Sequence, residues 1–301
     1  MLAVTILGNN SAIPAFGRHP TAQIITTQDD LLLFDCGEGT QIQILNYRIR
    51  RSRINHIFIS HLHGDHYFGL IGLLNSMALL GRIQPLHVYG PAPLIDILNL
   101  QFSVAKTVLP YDFTFHPITE KGILLESKSY TVECFSTKHR IECWGFLIRE
   151  KRNPRKVNLE EVKKYDVPKS FYHDLQLGHD FKTTDGGTVK NDLLTIPQTK
   201  KARSYAFCAD SAYDENLIEI VSNTDLMYHE TTYPHAFAEK ATERFHSTTK
   251  QAAAIADKAA VKKLLIGHFS AKFESLEIFE TEAREVFPNT ELATEGVTYL
   301  I

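Results

Sequence analysis

The segment Ile57-Phe58-Ile59-Ser60-His61-Leu62-His63-Gly64-Asp65-His66 constrains this chain more than any other. Its apolar, β-branched start reads as a buried strand, and it ends in three imidazoles and a carboxylate. A strand that closes in a tight turn can present His61 and His63, two residues apart, on one side. Asp65 and His66 then follow at the opening of the next helix. One short loop could thus serve two metal ions. Imidazole and carboxylate are the ligands zinc takes where thiolates are absent, and a mixed set suits a catalytic, solvent-open site. Cysteine does not compete for that role. Cys36, Cys134, Cys143 and Cys208 show no Cys-x-x-Cys spacing and read as small buried hydrophobes.

Such a loop needs a fold that brings further ligands to it. The chain holds 14 histidines, several in clusters separated by long gaps. His139, Asp210 and His268 each follow an apolar, strand-like run, as in Tyr205-Ala206-Phe207-Cys208-Ala209-Asp210 and Leu264-Leu265-Ile266-Gly267-His268. Taken singly, each reads as a polar residue at a strand end. Beside the first cluster, each becomes a candidate ligand.

Short β-rich runs recur at 4–7, 23–26, 31–34, 57–60 and 86–89, and again at 130–136, 144–149, 205–209, 226–229, 263–266 and 297–301. Helix-length apolar segments fall at 67–80, 93–102, 250–260 and 276–286. Strands followed by helices in this order predict an α/β protein with helix-covered sheets. At 301 residues and 44% hydrophobic content, the chain can build one large domain or two small ones. No apolar stretch reaches the ~20 residues of a membrane span, and the N-terminus lacks a positive n-region, so a cytoplasmic protein with no membrane contact is expected.

One interval breaks the pattern. Residues 151–199 are polar and rich in Lys, Asp and Gly, which predicts an inserted excursion. From Lys151 to Arg203 there are 12 Lys/Arg against 7 Asp/Glu, a balance of +5 in a chain whose net charge is -3. The charge is therefore concentrated where a polyanion could be gripped. Arg48, Arg50, Arg51 and Arg53 form a second basic cluster just before the metal-loop strand.

These residues also carry a resemblance. Phe34-Asp35-Cys36-Gly37-Glu38-Gly39-Thr40-Gln41 and Ser60 to His66 resemble the first two motifs of the metallo-β-lactamase superfamily, with His139, Asp210 and His268 at the third, fourth and fifth. His229-Glu230-Thr231-Thr232-Tyr233 and His246-Ser247-Thr248-Thr249-Lys250-Gln251 are similar, within it, to ribonuclease Z of the short type. The resemblance implies a four-layer αβ/βα sandwich of two mixed β-sheets in a single domain, 1–301, with residues 151–199 as a projecting, flexible, tRNA-binding arm.

It further implies a zinc-dependent endoribonuclease that removes the 3' trailer from precursor tRNA by metal-activated water attack, leaving a 3'-hydroxyl. Two Zn²⁺ per subunit would be held by His61, His63 and His139 on one side and Asp65, His66 and His268 on the other, with Asp210 bridging. Asp65 would also act as a general base. His246 would protonate the departing oxygen with Glu230 orienting its ring. Asp35 would fix the ligand loops from behind, and His229 would either join that network or hold a strand end. Lys163, Lys164, Lys169 and Lys182 would contact substrate, and two subunits would form a homodimer. The arm departs from the family text: after Val167-Pro168 the usual Gly-Pro is replaced by Lys169-Ser170-Phe171-Tyr172. A small-molecule phosphodiesterase or aryl sulfatase on the same dizinc scaffold is the alternative enzyme, and an RNA-binding protein without catalysis the non-enzymatic one.

Overall fold

The computed structural model describes residues 2–151, 154–196 and 201–301. The chain falls into two compact units, Met1–Arg149 with Arg203–Ile301, and Glu150–Ala202.

The larger unit holds two seven-stranded sheets. The first runs, in spatial order, Thr298–Leu300, Ala3–Gly8, Ala22–Thr26, Leu31–Phe34, Ile54–Phe58, Leu86–Pro91 and Phe113–Ile118. The second runs Thr290–Leu292, Leu264–Gly267, Leu226–Glu230, Ser204–Cys208, Trp144–Glu150, Tyr130–Ser136 and Gly122–Glu126. Each is mixed, with parallel pairing among the strands that follow helices and antiparallel pairing toward the hairpins.

Strand alternation decides the layers. Leu32 and Phe34 join Phe58, Phe146, Tyr205, Phe207 and Tyr228 in a core between the sheets, whereas Leu31 and Leu33 face outward. Those outward residues are covered by Ile44, Leu73, Leu74, Met77 and Leu98, from the helices Thr40–Asn46, Leu70–Leu79 and Leu94–Ala105. On the other side Leu217, Ala253, Ala256, Phe279 and Ala283 cover the second sheet. They come from the helices Asn216–Ile220, Thr249–Lys258 and Glu277–Val286. Burial on both faces explains why the central strands read as continuous apolar runs. The order helix, sheet, sheet, helix is the four-layer sandwich. No helix among the described residues is long and apolar enough to cross a membrane.

The structure departs from the sequence reading in places. The helix expected at 67–80 is two, Gly64–Tyr67 and Leu70–Leu79. Gly69 sits between them, donating to the Cys36 carbonyl at 2.9 Å, and a Cβ there would lie 2.1 Å from the Gly37 carbonyl oxygen. Strands at Phe113–Ile118, Gly122–Glu126 and Thr290–Leu292, and the helix Thr40–Asn46, carry too weak a sequence pattern to be read in advance.

The smaller unit has its own core of Val162, Val167, Leu175, Val189 and Leu194. Around it lie the helices Leu159–Lys164, Tyr172–Gln176 and Asn191–Leu194 and two short antiparallel pairs, Lys156–Val157 with Thr195–Ile196 and Phe181–Lys182 with Thr188–Val189. Asn158 caps the first helix by accepting from Glu160 N, and Asn191 Nδ2 donates to the carbonyls of Leu175 and His179. Arg152, Asn153 and the stretch from Pro197 to the arm's expected end at Thr199 lie outside the described residues.

Candidate metal centre

The carboxyl ends of the strands Ile54–Phe58, Ser204–Cys208, Leu226–Glu230 and Leu264–Gly267 deliver the chemically active side chains, the place where open α/β sheets form sites. Two groups of candidate ligand atoms converge there. His61, His63, His139 and Asp210 form one, and Asp65, His66 and His268 the other, while Asp210 and His268 also make a third set with His246. In the first, His61 Nε2 and His139 Nε2 lie 3.0 and 3.1 Å from His63 Nδ1. In the second, His268 Nε2 lies 3.3 Å from both His66 Nε2 and Asp65 Oδ2. Asp210 belongs to both: Oδ2 is 3.7 Å from His61 Nε2, and Oδ1 is 3.2 Å from His268 Nε2.

The outer hydrogen bonds fix which nitrogen of each ring faces inward. The Ser60 hydroxyl donates to Asp35 and so accepts from His61 Nδ1 at 3.0 Å. His66 Nδ1 donates to Asp35 at 2.6 Å, His139 Nδ1 to the Phe245 carbonyl at 2.9 Å, and His268 Nδ1 to Thr232 Oγ at 2.9 Å. Four Nε2 lone pairs therefore point at one another and at carboxylates. That arrangement suits cations and repels itself without them. Asp210 Oδ1 is buried with no hydrogen-bond partner among the described residues, although two ring nitrogens face it. An orphaned carboxylate oxygen inside a ring of imidazoles fits a divalent ion between the two groups.

The titration directions agree for the first group, while in the second the surrounding carboxylates favour a charged His66. Burial, then neighbouring rings, hold His61 well below its ordinary value and His63 at about 4, so both offer lone pairs at neutral pH. Burial opposes the charged form of His66 too, but Asp210, Asp65 and Asp35 outweigh it and push its pKa up. Burial likewise works against ionised Asp65, yet His66 and His268 hold it far below the carboxylate range. Asp65 Oδ2 also accepts from Ala12 N at 2.7 Å.

Beside this centre stands a second constellation. Glu230 is fully buried, accepts from the amides of Thr232, Ser247 and Ser211, and receives His246 Nδ1–H at 3.0 Å. Burial disfavours a charged His246, but Glu230 and Asp210 raise it to about 9. The ring sits where it does because Phe245 adopts φ 58° and a Thr248–Gln251 capping box then starts the helix Thr249–Lys258. A cleft of about 690 Å³ opens over His63, His139 and His246.

Asp35 lies directly behind the ligands, accepting from Ser60 N, Ser60 Oγ and His66. His229 does not reach this network. Alternation along Leu226–Glu230 turns it away from Glu230, its Nδ1 donates to the Glu230 carbonyl at 2.7 Å, and its buried Nε2 has no partner among the described residues. Lys163, Lys164, Lys169 and Lys182 lie exposed on the smaller unit, with Lys164 paired to Glu161 at 3.3 Å. Ser60 and Thr232 orient ligand rings and were not assigned roles from sequence. Their signal in the sequence is their place in the segments Ser60 to His66 and His229 to Tyr233.

Residues 2–207 match the family model described as Anti-Pycsar protein Apyc1, a match that ends before Glu230, His246 and His268. A curated ribonuclease Z of Parabacteroides distasonis is 41% identical over 98% of this chain and 97% of its own length. That of Crocosphaera subtropica is 36% identical over 99% and 97%. The crystal structure of the short form of human tRNase Z superposes with a TM-score of 0.72 at 25% identity, covering 99% of both chains. The metallo-β-lactamase fold protein YhfI of Bacillus subtilis shares the fold at a TM-score of 0.69 and 20% identity, over the whole of both chains. The chain belongs to the family that the Apyc1 model describes and, over nearly its whole length, to the ribonuclease Z family.

Proposed function

We propose that this protein is a zinc-dependent endoribonuclease that removes the 3' trailer from precursor tRNA, with two zinc ions per subunit. The observation that carries the proposal is the single carboxylate, Asp210, shared by two ligand groups and flanked by the Glu230–His246 pair. His61, His63 and His139 would hold one ion, Asp65, His66 and His268 the other, and Asp210 both. Bound divalent ions supply Lewis-acid chemistry toward a phosphodiester and a water.

The remaining work belongs to the chain. Asp65, its Oδ2 fixed by Ala12 N, is placed to accept the proton of the attacking water. His246, charged at neutral pH and held by Glu230 through Nδ1, keeps Nε2 for the departing ribose oxygen. Asp35 holds His66 and the Ser60 backbone so that the ligand loop keeps its shape.

The basic unit 151–199, through Lys163, Lys164, Lys169 and Lys182, is the proposed grip on the tRNA body, acting by phosphate charge. A homodimer in the cytoplasm completes the reading. Exposed Ile42, Leu45, Leu79 and Leu80, on two helices that pack together, offer an apolar surface for self-association.

A second reading, a small-molecule phosphodiesterase, would use the same seven metal-binding side chains. Incubating zinc-loaded protein with a 3'-extended precursor tRNA separates the two. A cut after the discriminator base that disappears in Asp65→Ala supports the endonuclease. Hydrolysis of bis-p-nitrophenyl phosphate with intact precursor tRNA supports the esterase.

A further inference from the structure

The surface cations of the C-terminal half are matched to carboxylates almost throughout. Lys250 pairs with Glu285, Lys258 with Glu215, Lys262 with Asp225, Lys263 with Glu291 and Arg284 with Glu280. Among the described residues Lys240, Arg244 and Lys272 have no carboxylate within ion-pair distance, unlike these five. Two of them, Lys240 and Arg244, line the cleft that opens over His63, His139 and His246, where Arg140, 2.9 Å from His63 Nε2, is a third cation.

Two further observations make this more than a scatter of lysines. The Lys240 ammonium stands 5.7 Å above the ring of Tyr233, which also lines the cleft. Lys272 is exposed and directly follows Ala271, a residue of the cleft wall, and its charge depresses the proton affinity of Lys240. Like charges held side by side repel, and in a chain of net charge -3 nothing forces them together. Such a cluster is relieved by an anion, and the cleft leads from it to the metal ligands. Glu243 on the same wall is the one opposing charge among the described lining residues.

We propose that Lys240, Lys272 and Arg244 form a phosphate-binding subsite for the polynucleotide next to the scissile phosphodiester, positioning the RNA strand along the cleft. Arg140 marks the end of that path nearest the metal ligands. The proposal rests on the endoribonuclease reading and names the residues that steer its substrate. Lys and Arg recognise a phosphodiester by charge and hydrogen bonding without reading the base, so the subsite is blind to trailer sequence.

The test is binding of 3'-extended precursor tRNA to the Asp65→Ala protein, which is expected not to cut it, across a salt series. Adding Lys240→Ala with Lys272→Ala is expected to weaken binding on the order of tenfold near 0.1 M salt and to flatten the salt dependence by about two charges. Lys240→Arg with Lys272→Arg restores both, because it returns the charge. Lys250→Ala with Lys258→Ala, which removes two carboxylate-paired lysines elsewhere, leaves affinity and slope as they were. With Asp65 intact, the lysine-to-alanine pair raises KM for precursor tRNA more than it lowers kcat. An unchanged slope in that pair overturns the subsite while leaving the endonuclease standing. Wild-type protein that neither binds nor cuts precursor tRNA overturns the functional reading itself.

Discussion

Asp35 accepts the Nδ1–H of His66 at 2.6 Å from a left-handed backbone, φ 55°, at the end of the strand Leu31–Phe34. The same carboxylate accepts Ser60 N and Ser60 Oγ, so one side chain orients His66 directly and His61 through Ser60. Asp35→Ala is expected to weaken zinc binding roughly 10–100-fold, the usual effect of removing a partner behind a metal-bound imidazole. Competition with a chromophoric chelator measures this, and wild-type affinity in the variant would count against the assignment.

His246→Asn separates proton donation from the rest of catalysis. A ribose alkoxide needs a proton to leave, whereas p-nitrophenolate leaves readily without one. Cleavage of precursor tRNA should fall about 10²–10⁴-fold, and hydrolysis of bis-p-nitrophenyl phosphate far less. Equal losses on both substrates would mean that the ring acts otherwise, for example by holding the metal centre together.

Gly69→Ala tests the packing that seats the metal loop. Its Cβ would lie 2.1 Å from the Gly37 carbonyl oxygen, so backbone must move on one side or the other. Destabilisation of roughly 1–3 kcal/mol, with reduced zinc content, is expected from denaturant titration and metal analysis. Stability equal to wild type would show that the loop gives way freely.

Acid sensitivity should come partly from His56, on the strand Ile54–Phe58. Burial first, then His87, His116 and Arg82, with Asp30 opposing, lower His56 to about 4. His87 Nδ1 and His116 Nε2 lie 3.1 Å apart, and Tyr89 stands 3.4 Å from His56. A depressed imidazole value means that folding favours the neutral ring. Stability is then full above the ordinary value of 6.5 and is lost as pH falls from there through 4. For this partly exposed ring the loss is at most about 3 kcal/mol before solvent screening reduces it. Thermal melts of wild type and His56→Gln at pH 7.5 and 5 check the sign, and the variant should lose less.

Metal removal completes the set. The inward-facing lone pairs of His61, His139 and His268 repel one another without a cation, so the chelated protein should melt at lower temperature. Zinc at 100 times its dissociation constant should return about 2.7 kcal/mol. Identical melting curves with and without chelator would argue that no ion binds there.

The central strands and the metal loop were legible because both are written locally. A run such as Ile57-Phe58-Ile59 is apolar on both faces wherever it lies in a sheet, and His61, His63, Asp65 and His66 are neighbours in the chain before they are neighbours in space. His139, Asp210 and His268 could be nominated by their places after apolar runs. The edge strands Phe113–Ile118 and Gly122–Glu126 were not legible, because half-exposed residues carry a diluted pattern.

Sequence by itself thus determined which elements form and which ligand types are at hand, since backbone propensity and burial act over a few residues. Tertiary structure alone decided where each polar atom points. It set Asp210 between two ligand groups, turned His229 away from the pair made by Glu230 and His246, and broke a helix at Gly69 against a loop 32 residues earlier in the chain. It also left Lys240 and Arg244 on the cleft wall with no ion-pair partner among the described residues. Those outcomes depend on contacts between residues distant in sequence, and hydrogen bonds and ion pairs are settled by distances of a few tenths of an ångström that no local pattern encodes.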